Sequence, residues 1–429
     1  MSQAGVVVVG AGQAGFQTAA SLRKEGYDGP VTLLGDEPGL PYQRPPLSKE
    51  YLTADASVEK VRLRPEAFYE RQRIELRPGE RLERIDRAGR RLELASSARL
   101  EYEHLVLALG ARPRPLPVPG GELDGVHLLR TLWDADALRA GLDDAEHVVV
   151  IGGGFIGLEF AAAARTRGAG VTVVEILDRP MARVVSPEIS RYFTRRHEAA
   201  GVEVLLETGV EALEGQGRRV AAVRTRDGRR LPADLVVVGV GIVPNTEPAE
   251  AAGLEVDDGI VVDEHLTTRD PLVSAIGDCA AYPSCHAGKR VRLESVQNAV
   301  DHGRCVAGRI AGKAAPYTSV PWFWSDQHGC KLQIAGLTAG RERAVPRGDV
   351  EAGAFSVFCF EGDRLVGVES VNRPADHMAA RKLLAGEPAV TPEQAADPSF
   401  DLKTHAQQMR TQAEHGGARR AAAVGARAA

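Results

Sequence analysis

The sequence predicts an α/β protein with two doubly wound, Rossmann-like nucleotide-binding domains, one inserted in the other, and a C-terminal α+β domain. Three observations predict it. Val6–Gly15 reads VVVVGAGQAG and Val148–Gly157 reads VVVIGGGFIG, so an apolar run feeds a glycine cluster twice. Leu105–Pro113 (LVLALGARP) and Leu235–Pro244 (LVVVGVGIVP) echo each other in the same way. A fingerprint thus opens each unit, and a buried strand with glycine closes it. From Val320 the composition changes: tryptophan and phenylalanine cluster ahead of strand-like runs at Leu332–Leu337 and Ala354–Phe360. The expected boundaries are 1–115 with 247–319 for the first domain, 116–246 for the inserted one and 320–403 for the third. Residues 404–429, rich in Ala, Arg, Gly and Gln, are expected to form a flexible tail.

Val6–Val9 is continuously apolar, as expected of a parallel strand buried on both faces. Gly10-x-Gly12-x-x-Gly15 follows, and Phe16–Lys24 reads as a helix. Gly10 permits the tight turn, Gly12 lets the backbone approach a pyrophosphate at the helix N-terminus, and Gly15 allows close helix–strand contact. The second strand, Val31–Leu34, ends at Gly35-Asp36-Glu37. A carboxylate there accepts hydrogen bonds from a ribose hydroxyl; Asp36 is the candidate, with Glu37 beside it. Arg112–Gly121 (RPRPLPVPGG) reads as an extended linker, and a second linker is expected at Pro244–Pro248.

Between the linkers, Gly152-x-Gly154-x-x-Gly157 repeats the device, with Val148–Ile151 as its strand and Phe160–Arg167 as its helix. Its second strand, Val171–Val174, ends at Glu175. A carboxylate here binds the adenosine ribose diol and repels a 2′-phosphate, which favours NADH over NADPH. Arg179, four residues on, would soften that preference if it reached the same ribose. Two nucleotide sites imply two nucleotides, most economically one tightly held FAD and one exchangeable NADH. Hydride transfer then requires the second domain to deliver the nicotinamide to the flavin.

Of the 429 residues, 44% are hydrophobic and 26% charged, as in an ordinary soluble enzyme, and the net charge of −5 gives no electrostatic case for nucleic-acid binding. The chain enters its first apolar run directly after MSQAG, and Leu235–Val243 is far short of the ~20 apolar residues a membrane span needs. A cytoplasmic protein without a membrane partner is expected. The five cysteines (Cys279, Cys285, Cys305, Cys330 and Cys359) form no Cys-x-x-Cys pair and read as reduced thiols. None precedes Cys279, so a thiolate pathway next to the first fingerprint has no residues to run on. The histidines show no metal-ligand spacing; His302 and His328 read as surface or structural residues.

With these motifs in hand, the chain resembles the oxygenase-coupled NADH–ferredoxin reductases, within the FAD-dependent pyridine nucleotide-disulfide oxidoreductase superfamily. The resemblance runs from Val6 to Pro374. Its most specific pieces are Pro41–Leu52 (PYQRPPLSKEYL), Ile276–Cys279 (IGDC), Glu294–Ala299 (ESVQNA) and Pro321–Gln327 (PWFWSDQ). It implies that Lys49 sits at the flavin and that Glu159 pairs with it. It implies that Asp278 lies on the ribityl chain, that the Val296 backbone lies against the flavin ring and that Trp324 covers the flavin edge. Ala14, Asp36, Arg44, Leu82, Ala108, Gly110 and Arg130 match further flavin positions. Gly152, Gly154, Ile156, Gly157, Glu175 and Gly241 match the nicotinamide side. One departure is small: the usual Ala-Thr-Gly closing the first half of the flavin domain is Ala108-Leu109-Gly110 here.

The residues carry their own logic. A cation beside a flavin stabilises the reduced ring, and a buried lysine needs a carboxylate partner. Glu159 lies two positions past Gly157, on the expected first turn of the helix facing the cofactor. Spacing alone leaves Lys49 and Glu159 equally readable as solvated surface charges. Trp322 and Trp324 read either as an aromatic lid or as a strand with one buried and one exposed tryptophan. The expected partner is a [2Fe–2S] ferredoxin feeding a monooxygenase or dioxygenase, the protein itself being a monomer or weak homodimer. Lys289–Arg292 and Arg304–Arg309 are candidate docking stretches, or simply solvated charge. Two alternatives stand: reduction of rubredoxin or another small acceptor, and a binding flavoprotein resembling apoptosis-inducing factor.

Overall fold

A computed structural model describes residues 4–53, 57–386 and 390–409. Its first sheet runs Ile74–Pro78, Val31–Gly35, Gly5–Val9, Arg99–Leu107 and Val273–Ala275, all parallel, and the far part of Arg99–Leu107 carries two further antiparallel strands, Arg91–Leu94 and Leu82–Asp86. The strand Gly5–Val9 is buried along its whole length, as its unbroken valines require. The second sheet repeats the order with Val202–Leu205, Gly170–Val174, His147–Ile151, Leu235–Val238 and Val126–His127, again all parallel. The third is a five-stranded antiparallel sheet, with Trp322–Gln327 at one edge and Arg343–Asp349 at the other.

Both fingerprint helices start earlier than the apolar pattern suggests, at Gln13 and Phe155, with Gly12 and Gly154 as their N-caps. At Gly10 and Gly152 φ is +109° and +106°, a left-handed turn that turns the chain from strand into helix. A Cβ at Gly10 would also lie 2.1 Å from the Ala108 carbonyl, so the turn sits directly on the neighbouring strand end.

Two expectations need correction. Pro244–Pro248 is not a plain linker. Ile242–Pro244 pairs antiparallel with Ala111–Pro113, joining the two domain crossings as a ribbon, and Glu247–Ala251 is helical. Pro248 stands in the first turn, where its missing N–H is harmless. The chain also stays ordered beyond residue 404: residues 402–409 are helical, and Leu402 and Ala406, one turn apart, are buried in the third core. The rest of the expected tail lies outside the described residues. Among the described residues, no helix is long and apolar enough to cross a membrane.

Candidate active site between two glycine loops

A Cβ added at Gly12 or Gly154 would meet nothing within 4 Å. Each glycine opens onto free space in front of a helix N-terminus with no acidic residue in its first turn. Unpaired amides and the positive end of the helix dipole make both cradles suited to a pyrophosphate. Gly15 and Gly157 lie against the carbonyls of Gly10 and Gly152, too close for any side chain.

On the first domain, Pro45–Ser48 forms a short 3-10 turn that presents Lys49 at its end. Lys49 Nζ lies 2.8 Å from Glu159 Oε2, and the two side chains are 14% and 4% exposed. Glu159 stands one turn into the second domain's helix rather than at its start, because that helix begins at Phe155. Its buried carboxylate also accepts from Ser48 Oγ at 2.6 Å and from Ser325 Oγ at 2.6 Å. One carboxylate therefore joins all three sheet systems, which a surface charge would not do. Lys49, Val296 and Trp324 line one cavity of about 160 Å³ with Gln13, Gln43 and Asp326.

Strand geometry explains the aromatic run. Trp322, Trp324 and Asp326 share one face, while Phe323, Ser325 and Gln327 share the other. Phe323 packs on Phe155 of the second domain, with ring centroids 4.6 Å apart. Neither tryptophan is fully buried or exposed; both are half-buried, 5.5 Å apart, which replaces the expected pairing of one buried and one exposed. Arg381 lies over Trp322 at 4.7 Å.

Arg130 and Asp278 form an ion pair at 3.0 Å. Ala14 abuts Gly277, the residue before Asp278, and Gly110 lies beside Arg130. Arg44 donates to Glu37, to Tyr42 Oη at 3.1 Å and to the Arg130 carbonyl at 2.7 Å. Glu37 is thus engaged with Arg44 and Tyr42, while Asp36 is exposed at the strand end. Leu82 and Ala108 are buried in the first core. Breaking the half-buried Arg130–Asp278 pair with Arg130→Ala is expected to weaken FAD retention about 10-fold, the size of a lost charged hydrogen bond. Flavin fluorescence released on dilution checks it; unchanged release removes Arg130 from the site.

In the second domain, Glu175 accepts from the backbone N–H groups of Gly153 at 2.7 Å and Leu177 at 2.9 Å. Arg179 is not available to a 2′-phosphate. It donates to the carbonyls of Ala182 and Val185 and to Ser190 Oγ. Ile156, Ile176, Leu177 and Val184 are exposed large hydrophobics on segments flanking the second glycine loop. Gly241 has φ +106°, and Arg183, exposed, reaches toward it.

In both basic stretches most cations are paired, while Lys289 is exposed. Arg290 and Arg292 face Asp257, Asp258 and Glu294; Arg304 faces Asp301; Arg309 turns inward to Ser274 and His104. His302 is fully buried, accepting from Gly277 N–H at 3.1 Å, and burial holds its pKa down at about 3. All five cysteines are free, and burial pushes the Cys279 thiol, next to Asp278, up to about 11. At neutral pH that sulfur is a protonated packing atom. Sequence reasoning missed Ser48, Ser325, Gln327 and His197, whose partners lie more than a hundred residues away.

Two nucleotide cradles closed on one lysine–glutamate pair define a two-dinucleotide flavoprotein reductase. The chain belongs to the pyridine nucleotide-disulphide oxidoreductase family, whose profile matches residues 4–303; a reductase C-terminal profile matches 322–406. It is 56% identical to rhodocoxin reductase of Rhodococcus erythropolis, over 93% of each chain. It is 41% identical to putidaredoxin reductase of Pseudomonas putida, over 93% of this chain and 96% of that one. A crystal structure of a ferredoxin reductase from Rhodopseudomonas palustris superposes with a TM-score of 0.93 at 54% identity, covering 94% of this chain and all of the other.

Proposed function

We propose that this chain takes a hydride from NADH onto FAD and passes electrons one at a time to a [2Fe–2S] ferredoxin serving an oxygenase. The Lys49–Glu159 contact carries the reading, because it joins the first cradle to the helix of the second. When bound, FAD supplies the chemistry: it accepts two electrons together and releases them singly.

The chain's residues do the rest. Gly12 and Gly154 admit the two pyrophosphates, and Asp36 stands where the first ribose would be. Glu175 presents a carboxylate to the second ribose, Ile176 and Leu177 offer apolar surface to its adenine, and Arg183 supplies a cation near Gly241. Lys49 places positive charge at the cavity where negative charge gathers during hydride transfer. The half-buried Trp324 face is the route out for electrons. A family name that includes disulphide chemistry does not transfer, since the cysteine nearest the site is a buried, protonated thiol.

A relative that is 40% identical over 86% of this chain is a rubredoxin–NAD(+) reductase of Pseudomonas putida, so rubredoxin is the second candidate acceptor. NADH oxidation, with cytochrome c as final sink, is expected to rise saturably with added [2Fe–2S] ferredoxin and to remain low with NADPH. A flavin that NADH reduces quickly but that responds only to rubredoxin moves the assignment to that acceptor.

A further inference from the structure

Ser325 and Gln327 lie on the strand face turned toward the second nucleotide domain, and through them Glu159 is connected to a histidine near the surface. We infer that Ser325, Gln327, His197 and His328 form a one-way hydrogen-bond relay that positions the carboxylate of Glu159 and, through it, the ammonium of Lys49. The inference rests on the assignment of Lys49 and Glu159 to the hydride-transfer site.

The direction of each link follows from the chemistry at its end. An ionised carboxylate only accepts, so Ser325 Oγ, 2.6 Å from Glu159 Oε1, must give it the hydroxyl proton. The serine oxygen then accepts from Gln327 Nε2 at 3.0 Å. That fixes the amide: Gln327 Oε1 faces His197 Nε2 at 3.0 Å, so this ring nitrogen carries the proton. His197 Nδ1 is therefore bare and accepts from His328 Nε2 at 3.1 Å. Ser325 and His197 are wholly buried and Gln327 is 1% exposed, so water does not compete for these bonds. Burial also holds the His197 pKa down at about 4, which keeps the ring neutral and its Nδ1 able to accept at pH 7.

The consequence for the site is geometric. The relay takes Oε1 of Glu159 and leaves Oε2 to Ser48 and Lys49. Lys49 has three N–H groups; one goes to Glu159 and one to the Pro45 carbonyl at 3.3 Å. The third remains for the cavity that Lys49 lines. Releasing Oε1 lets the carboxylate rotate and carries the ammonium with it.

Ser325→Ala removes a single hydroxyl, and Gln327→Leu breaks the next link, each in the FAD-loaded protein. In both, flavin reduction at saturating NADH is expected to fall on the order of 10-fold, with the NADH Kd within about 2-fold of wild type and full FAD content. Nitrogen NMR of histidine-labelled protein is expected to show His197 as the Nε2–H tautomer alone in wild type and as mixed tautomers in both variants. The relay is overturned by an Nδ1–H tautomer in the wild type. It is equally overturned if Ser325→Ala reduces at the wild-type rate while Lys49→Met is slow. If Lys49→Met is itself fast, the assignment of the hydride site falls, and the relay is judged by the His197 tautomer alone.

Discussion

Lys49→Met is expected to slow flavin reduction by NADH about 10²-fold, a loss of about 2.7 kcal/mol of transition-state stabilisation, while FAD stays bound. Methionine keeps the length and the apolar stem but removes the charge. The Lys49 side chain is 14% exposed, so its charge acts across a partly dry cavity and is worth more than it would be in water. A competing explanation has to be separated. Removing Lys49 leaves Glu159 buried with only hydroxyl partners, Ser48 and Ser325, and an orphaned buried charge could distort the helix that follows the second glycine loop. The double variant Lys49→Met with Glu159→Gln decides. If the lysine charge itself promotes hydride transfer, the double variant is as slow as the single. If the single variant is slow only because Glu159 is orphaned, neutralising Glu159 restores the rate. Stopped-flow bleaching of the flavin band under NADH is the measurement; wild-type speed in Lys49→Met would sink the assignment outright.

The parts of this site that were legible in the sequence are those whose signal is local. Gly10-x-Gly12-x-x-Gly15 and its repeat betray themselves because the turn, the cradle and the close helix contact are all made within six residues. Glu175 is legible for the same reason, being fixed by the end of a strand. Lys49 and Glu159 are not separable from surface charge by spacing, since they stand 110 positions apart and only the docking of two domains brings them together. Ser325 and Gln327 had even less to mark them: their role depends on which strand face meets which helix. At Asp36–Glu37 the strand end singles out Asp36 as the ribose candidate, and only the fold shows that Tyr42 and Arg44 occupy Glu37. Composition misjudged residues 404–409, because two buried aliphatic positions one turn apart, Leu402 and Ala406, outweigh polar neighbours.

Glu175→Arg is expected to change the ratio of kcat/KM for NADH over NADPH by about 10²–10³ in favour of NADPH, some 3–4 kcal/mol of discrimination. The wild-type carboxylate is held in place by the amides of Gly153 and Leu177, with the remaining lone pairs free to accept from a ribose diol. A 2′-phosphate brought to the same spot meets a negative charge. On the following loop, Arg179 is tied to Ala182, Val185 and Ser190, so it cannot offset the repulsion, and Arg183 reaches toward Gly241. The wild type is therefore expected to use NADPH poorly. The substitution also removes both backbone bonds of Glu175, one of them to the glycine loop at Gly153, so part of any NADH loss is structural. Glu175→Gln separates the two effects: it keeps an acceptor for one amide, removes the charge, and is expected to relieve NADPH exclusion without creating NADPH preference. Equal use of the two cofactors by the wild type would show that Glu175 does not read the ribose. If NADPH use improves equally in Gln and Arg variants, relief of repulsion accounts for the whole effect and the arginine adds no phosphate contact of its own.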